Sequence, residues 1–240
     1  MEKEVWSKGF KVVFPVMLSY VPLGMACGML LYEAGISVFG IGLMSTLVFA
    51  GAGQFMAASM LTAGATVPSI IIMTFFLNLR HLLMSSSIAP FFKKKSVPFL
   101  MLYSHTLADE SYALNYTQFR TDKEWTPDSA LTTNLLAYSS WVFSTILGGY
   151  IGSAFAFNAT IMNYVLIAMF ICMLASQFVS RIFVIVGLVA GFLSVLLMVL
   201  LNHNIALVIA AVIASFVGYL LDERREKKQA AKGDSVHNEQ

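Results

Sequence analysis

The sequence predicts an all-α integral membrane protein with about 7–8 transmembrane helices, and three observations carry that reading. Of 240 residues, 58% are hydrophobic and 12% charged. Apolar runs recur at roughly the 20-residue length that crosses a bilayer. The only clearly polar pieces are the start, Met1–Lys11, and the tail, Asp222–Gln240, so a permease domain over 1–221 and a polar cytoplasmic tail over 222–240 are expected. The tail opens on a dense charge run, Asp222 to Lys228, and reads as a solvated end.

Eight helical segments follow in order. The first, 11–32, has basic residues before an apolar run of full span length. Gly24-Met25-Ala26-Cys27 is a poor lipoprotein cleavage box, so the helix is read as uncleaved. The second, 38–63, carries Gly51 and Gly53 inside Phe49–Phe55. Each glycine costs about 1 kcal/mol of helix propensity relative to alanine, which favours a broken helix near residues 50–55 or a close backbone approach. The third, 67–92, is apolar or small apart from a short polar core. The fourth, 97–117, contains His105, Asp109 and Glu110 and so lines a polar interior, or lies at the membrane interface. Segments 130–156, 160–179, 181–201 and 204–221 complete the set, with Trp125-Thr126-Pro127-Asp128 forming a turn and helix start before the fifth.

With eight crossings, both termini share a side with Lys3, Lys8, Lys11, Arg120, Lys123, Arg181 and five basic residues of the tail. The opposite side holds only Lys93, Lys94 and Lys95. Eleven against three places both termini in the cytoplasm, with the three lysines as the exception. An internal repeat is also suggested. Leu23-Gly24-x-x-x-Gly28 returns as Leu147-Gly148-x-x-x-Gly152, and Gln54-Phe55 as Gln177-Phe178, at offsets of 124 and 123 residues. Repeats over about 11–117 and 130–221 would be parallel, with a binding site between halves at mid-depth. Tight helix packing alone also selects Gly-x-x-x-Gly.

The polar residues inside apolar runs are the functional candidates. Arg80 at bilayer depth costs about 2.5–3.5 kcal/mol on insertion scales, so a chain retains it for a use. It is suited to bind a substrate carboxylate or to pair with Asp109 or Glu110. Asn78, His81 and Ser85 share a helix face away from Arg80. A helix broken at Gly51 and Gly53 exposes amides for a carboxylate, with Gln54 as an added donor and acceptor. Gln177 is its counterpart in the repeat, while Phe55, Met56 and Phe76 offer an apolar wall. On a continuous fourth helix His105, Asp109, Tyr112 and Tyr116 form one polar face, and His81, His105, Asp109 and Glu110 are candidates for proton coupling.

Other signals are weak. Cys27 and Cys172 lie in apolar segments and read as small hydrophobes, and His203 reads as a solvated turn residue. Trp6, Trp125 and Trp141 read as interfacial anchors or packing residues. No phosphate loop, metal-ligand spacing or nucleophile triad is present in the sequence, so no enzyme, catalytic residue, metal or cofactor is expected.

Phe49-Ala50-Gly51-Ala52-Gly53-Gln54-Phe55, Ala63-Gly64-Ala65, Asn78-Leu79-Arg80-His81, Ala89-Pro90 and Asp109-Glu110-Ser111-Tyr112-Ala113 occur in that order and spacing. In these the chain resembles the AzlC-like branched-chain amino acid permeases, the large subunits of two-component exporters. The C-terminal half matches mainly in hydropathy. The resemblance implies export of valine, leucine, isoleucine or their analogues, a small AzlD-type membrane subunit as partner, and a bacterial inner-membrane location. Proton coupling is the economical energy source, because the chain has no nucleotide-binding motif. An ion channel, or a non-transporting scaffold subunit, would use the same polar groups.

Overall fold

The computed structural model describes residues 2–93, 95–155, 164, 167–168, 171, 175, 181–201, 206, 209–221 and 223. The chain divides into two compact units, Met1–Ile167 and Ala168–Gln240. The described residues of the first unit form helices α1 (Glu2–Glu33), α2 (Val38–Leu47), α3 (Gly51–Thr62), α4 (Val67–Ile88), α5 (Val97–His105), α6 (Asp109–Thr121) and α7 (Pro127–Ala154). A 3-10 turn, Ala89–Phe92, ends α4. The second unit contains α8 (Arg181–Leu201) and a helical run Ile209–Leu221, where Gly218 packs against Val186. Gln177, Cys172 and His203 lie outside the described residues.

Helices α1 and α7 form the spine of the first unit. They run parallel, and the packed pairs Gly9 with Thr132, Met25 with Gly148 and Met29 with Gly152 are each 123 residues apart. Met17, whose carbonyl accepts from the Ser140 hydroxyl at 3.1 Å, keeps the same offset. A methyl group at Gly28 would overlap the Thr145 carbonyl oxygen, and one at Gly148 would overlap that of Met25. The two Leu-Gly-x-x-x-Gly motifs therefore lie against each other, where only glycine lets the backbones meet. First-unit helix α1 also starts earlier than expected, at Glu2 rather than near residue 11.

The spine defines two ends. Lys8 bonds Glu124 at 2.7 Å and Lys95 bonds Asp128 at 2.7 Å, which gathers the starts of α1, α5 and α7 at one end. Ile88 and Phe92 of α4 pack there with Tyr103, Trp125 and Ala130. Lys93 and Lys95 thus share an end with Lys8, Arg120 and Lys123, which corrects their expected place on the opposite side.

Two of the expected segments, 38–63 and 97–117, are each broken into a pair of antiparallel half-helices. Helix α2 descends antiparallel to α7, with Val38 and Ile41 against Gly149 and Ser45 bonded to Thr145. The chain breaks at Val48–Ala50, and α3 returns antiparallel to α4, with Gly53 beside Thr74 and Asn78. Segment 97–117 does the same from the other end. Helix α5 descends to His105, breaks over Thr106–Ala108, and α6 returns to Glu124. With 10, 12, 9 and 13 residues, none of these half-helices reaches the roughly 20 needed to cross.

Among the described residues there are only helices and their turns. Two helices are long and apolar enough to cross a membrane, Glu4–Glu33 and Val67–Phe92. Arg80 sits within the second without breaking it, as expected.

Candidate functional site

The first break falls slightly before the glycines expected to make it. Phe49 takes the left-handed conformation at φ 42°, which costs a non-glycine residue about 1–3 kcal/mol, and its ring is held against Tyr138 at 4.7 Å. Gly51 and Gly53 lie in the first turn of α3, where they serve close approach: Gly51 faces the Trp141 ring and Gly53 faces α4. The first bond of the turn is Gln54 N–H to the Ala50 carbonyl at 2.8 Å, so the amides of residues 51–53 precede the helical ladder.

Gln54 is fully buried and both ends of its amide are engaged. Its Nε2 donates to Ser45 Oγ at 2.7 Å, and its Oε1 accepts from the Trp141 indole at 2.8 Å. Thr145 donates to the same Ser45 oxygen at 2.7 Å. This network ties α2, α3 and α7 together at the break. Trp141 packs edge-on to Tyr20 at 5.2 Å and faces Phe55 at 6.5 Å, so Phe55 is a core residue rather than a lining one. Trp141 is thereby a buried strut at mid-depth, not an interfacial anchor.

At the second break, Ser111 closes the turn by accepting from the Ala108 amide at 3.0 Å. Asp109 and Glu110 occupy the first turn of α6, where the positive end of the helix favours acids. Asp109 pairs with Arg80 at 2.9 Å, and Glu110 accepts from the Tyr20 hydroxyl at 2.7 Å. The expected single face of His105, Asp109, Tyr112 and Tyr116 is split by the break. His105 Nε2 instead lies 2.9 Å from the Thr46 carbonyl oxygen, at the inner end of α2. Tyr138 donates to that same oxygen at 2.9 Å. Tyr112 meets Ser87 at 3.0 Å, and Tyr116 lies beneath the Arg120 guanidinium.

The tips of the two hairpins therefore meet at mid-depth. Beside them, α2, α3 and α4 bound an open apolar cavity of about 510 Å³. Thr74 and Asn78 lie on it, and Thr74 Oγ1 and Asn78 Oδ1 are buried without a hydrogen-bond partner. Arg80 Nε is buried and unpartnered as well. The first turn of α3 carries no acid, unlike that of α6, so its positive end is uncompensated and suited to an anion. His81 is half-buried on α4. Met56 and Phe76 do not line the cavity, whereas Phe75 does.

Of the residues singled out in the sequence, the structure brings Gly51, Gly53, Gln54, Asn78, Arg80, His105, Asp109 and Glu110 around the two breaks. Sequence reasoning missed Ser45, Thr74, Tyr138 and Thr145, whose common residue types stand out only once their partners are known. Among the described residues no cluster of His, Cys, Asp and Glu is arranged to hold a metal.

The AzlC protein family matches residues 15–155. A Helicobacter pylori protein described as an uncharacterized membrane protein is 32% identical over 177 residues, covering 71% of this chain and 76% of its own. The Bacillus subtilis branched-chain amino acid transport protein AzlC is 27% identical over 184 residues, covering 74% of this chain and 71% of its own. The Escherichia coli inner membrane protein YgaZ is 27% identical over 148 residues, covering 61% and 60%. No solved structure matches.

Proposed function

This chain belongs to the AzlC protein family of transport-associated membrane proteins, and we propose that it exports branched-chain amino acids across a bacterial inner membrane by exchange with protons. The observation that carries the reading is the meeting of two broken helices at mid-depth. There the first turn of α3, whose amides 51–53 precede the helical ladder and which carries no acid, lies beside α4 and an apolar cavity. Broken half-helices with backbone groups aimed at a midplane site are the usual means by which secondary transporters bind small charged substrates.

The substrate carboxylate sits at the first turn of α3, and its ammonium group meets Asn78 Oδ1. Arg80 is the second anion ligand. Its Nη1 is held by Asp109 while Nε is free, so an arriving carboxylate competes with Asp109 for the guanidinium. Asp109, once released, takes a proton, which couples substrate and proton through one arginine. Glu110, His105 and His81 supply the remaining protonatable groups, and Gln177 would act in the second half if the repeat extends there.

Helices α1 and α4 cross the membrane, α7 crosses with α1 by packing parallel along its length, and the two hairpins enter from opposite sides. The basic end with Lys8, Lys95, Arg120 and Lys123 faces the cytoplasm, in keeping with the positive-inside rule for the described residues of the first unit. The tail's basic residues place the C-terminus on the same side by that rule. A small AzlD-type subunit completes the exporter.

The test is efflux of labelled leucine and valine from preloaded cells across an imposed proton gradient, with and without the chain and the small subunit. Saturable, gradient-dependent loss of label is expected. Equal efflux under every combination would overturn the reading.

A further inference from the structure

We propose that the cavity between α2, α3 and α4 is the side-chain compartment of the amino acid site, with Thr74 as a further polar contact and Ala57 as the residue that sets side-chain size. The proposal rests on the transport reading above and deepens it.

The cavity is about 510 Å³, within the range of roughly 300–1,000 Å³ that small-molecule pockets occupy. Its walls are Met44 and Val48 at the inner end of α2, Ala57 on α3, and Ile70 and Phe75 on α4. Branched and aromatic side chains offer an aliphatic group dispersion contacts and no hydrogen bonds. Among these apolar walls, Thr74 and Asn78 stand one helical turn apart on α4, and both carry a buried oxygen without a partner. Leaving such atoms unmade is costly. Although both oxygens are covered in this structure, rotation of the Thr74 and Asn78 side chains toward the cavity they line would offer them to a ligand with donors at one end and an apolar body at the other. A free amino acid with an aliphatic side chain has that form. A lipid chain or an apolar helix face would leave both oxygens unsatisfied.

Position within the cavity assigns the parts. Gly53 faces Thr74 and Asn78, so the polar end lies toward the first turn of α3. Ala57 is one turn further along α3, buried, and lines the same cavity as Ile70. A larger residue there shortens the compartment from within, while removal of the Phe75 ring, which is exposed on α4, widens it.

The experiment uses the full chain in two measurements. One is the rise in melting temperature of detergent-purified protein with alanine, valine, leucine and phenylalanine, titrated to an apparent affinity. The other is efflux of the same four compounds. Ala57→Leu is expected to weaken leucine about tenfold relative to alanine, because a methylene or two in an apolar pocket is worth about that much discrimination. Phe75→Ala is expected to shift the order toward phenylalanine. Thr74→Val, which keeps the shape, is expected to weaken all four together.

An unchanged order of the four in both Ala57→Leu and Phe75→Ala overturns the proposal. If Ala57→Leu fails to fold, Phe75→Ala decides alone. Size-ordered binding without efflux upholds the compartment and overturns transport. Efflux with an order insensitive to both variants upholds transport and overturns the compartment. Neither binding nor efflux of any of the four overturns both.

Discussion

The His105 ring and the Thr46 carbonyl oxygen, 59 residues apart in sequence, are 2.9 Å apart in space, and they join the inner ends of two hairpins that enter from opposite ends of the unit. Tyr138 donates to the same oxygen from α7. One main-chain acceptor freed by the break in α2 is thus shared by both descending elements and the spine. Such freed carbonyls need partners wherever water is excluded. Tyr138→Phe together with His105→Ala is therefore expected to lower efflux well beyond either single change, while membrane insertion stays normal. Efflux rates of the three variants, set against the amount of inserted protein, check this.

Arg80 and Asp109 form a pair between α4 and the tip of the second hairpin. Removing one member leaves a charge without its partner, whereas removing both does not. Arg80→Gln and Asp109→Asn are each expected to destabilise more than the double variant does. The coupling between contacting sites of this kind is about 0.5–3 kcal/mol. Thermal unfolding in detergent gives the cycle. Strict additivity would show that the two side chains do not interact.

The buried network at the first break makes a similar demand. Gln54→Leu leaves the Trp141 indole N–H without its acceptor and takes from the Ser45 hydroxyl one of its two donors, Thr145 remaining, and a buried unsatisfied group costs about 1–3 kcal/mol. Trp141→Phe removes one donor and keeps most of the ring contact with Tyr20. The melting temperature is expected to fall more in Gln54→Leu than in Trp141→Phe.

The crossing of α1 and α7 is expected to be intolerant of any side chain. Gly28→Ala and Gly148→Ala place a methyl group on a carbonyl of the facing helix and should prevent accumulation of folded protein. Gly191→Ala, in α8, meets nothing within 4 Å among the described residues and should be neutral or slightly stabilising, because alanine is the better helix former. Yields of monodisperse protein distinguish the three.

The hairpin arrangement predicts sidedness. Cysteines placed singly at Lys93 and Lys123 are expected to react with a membrane-impermeant maleimide from the same side. Cysteines at Gly35 and Gly64, in the turns at the other end, should react from the opposite side. Labelling of positions 93 and 123 from different sides would show that segment 97–117 crosses after all.

Much of the site was legible because the membrane makes polar residues costly. Arg80, Asp109 and Glu110 stand out in apolar runs for that reason, and their pairing was one of two roles open to Arg80. The breaks were harder to place. Glycines at 51 and 53 pointed to the first, yet Phe49 carries the left-handed conformation, because its ring is held against Tyr138. Nothing local announces the second break. His105 and Asp109 have the spacing of one helix face, and only the pull of Thr46 on one and Arg80 on the other separates them.

The sequence by itself determined that this is a helical membrane protein and which few polar groups it carries at depth. Both follow from transfer free energies that depend on residue type and run length. Tertiary structure alone decided which apolar runs stay whole and which break into half-helices. That choice depends on partners distant in the chain: Lys95 with Asp128, Ser45 with Thr145, and His105 with Thr46. A run of apolar residues is equally content as a full span or as two half-helices until protein, not lipid, offers its broken backbone a hydrogen bond.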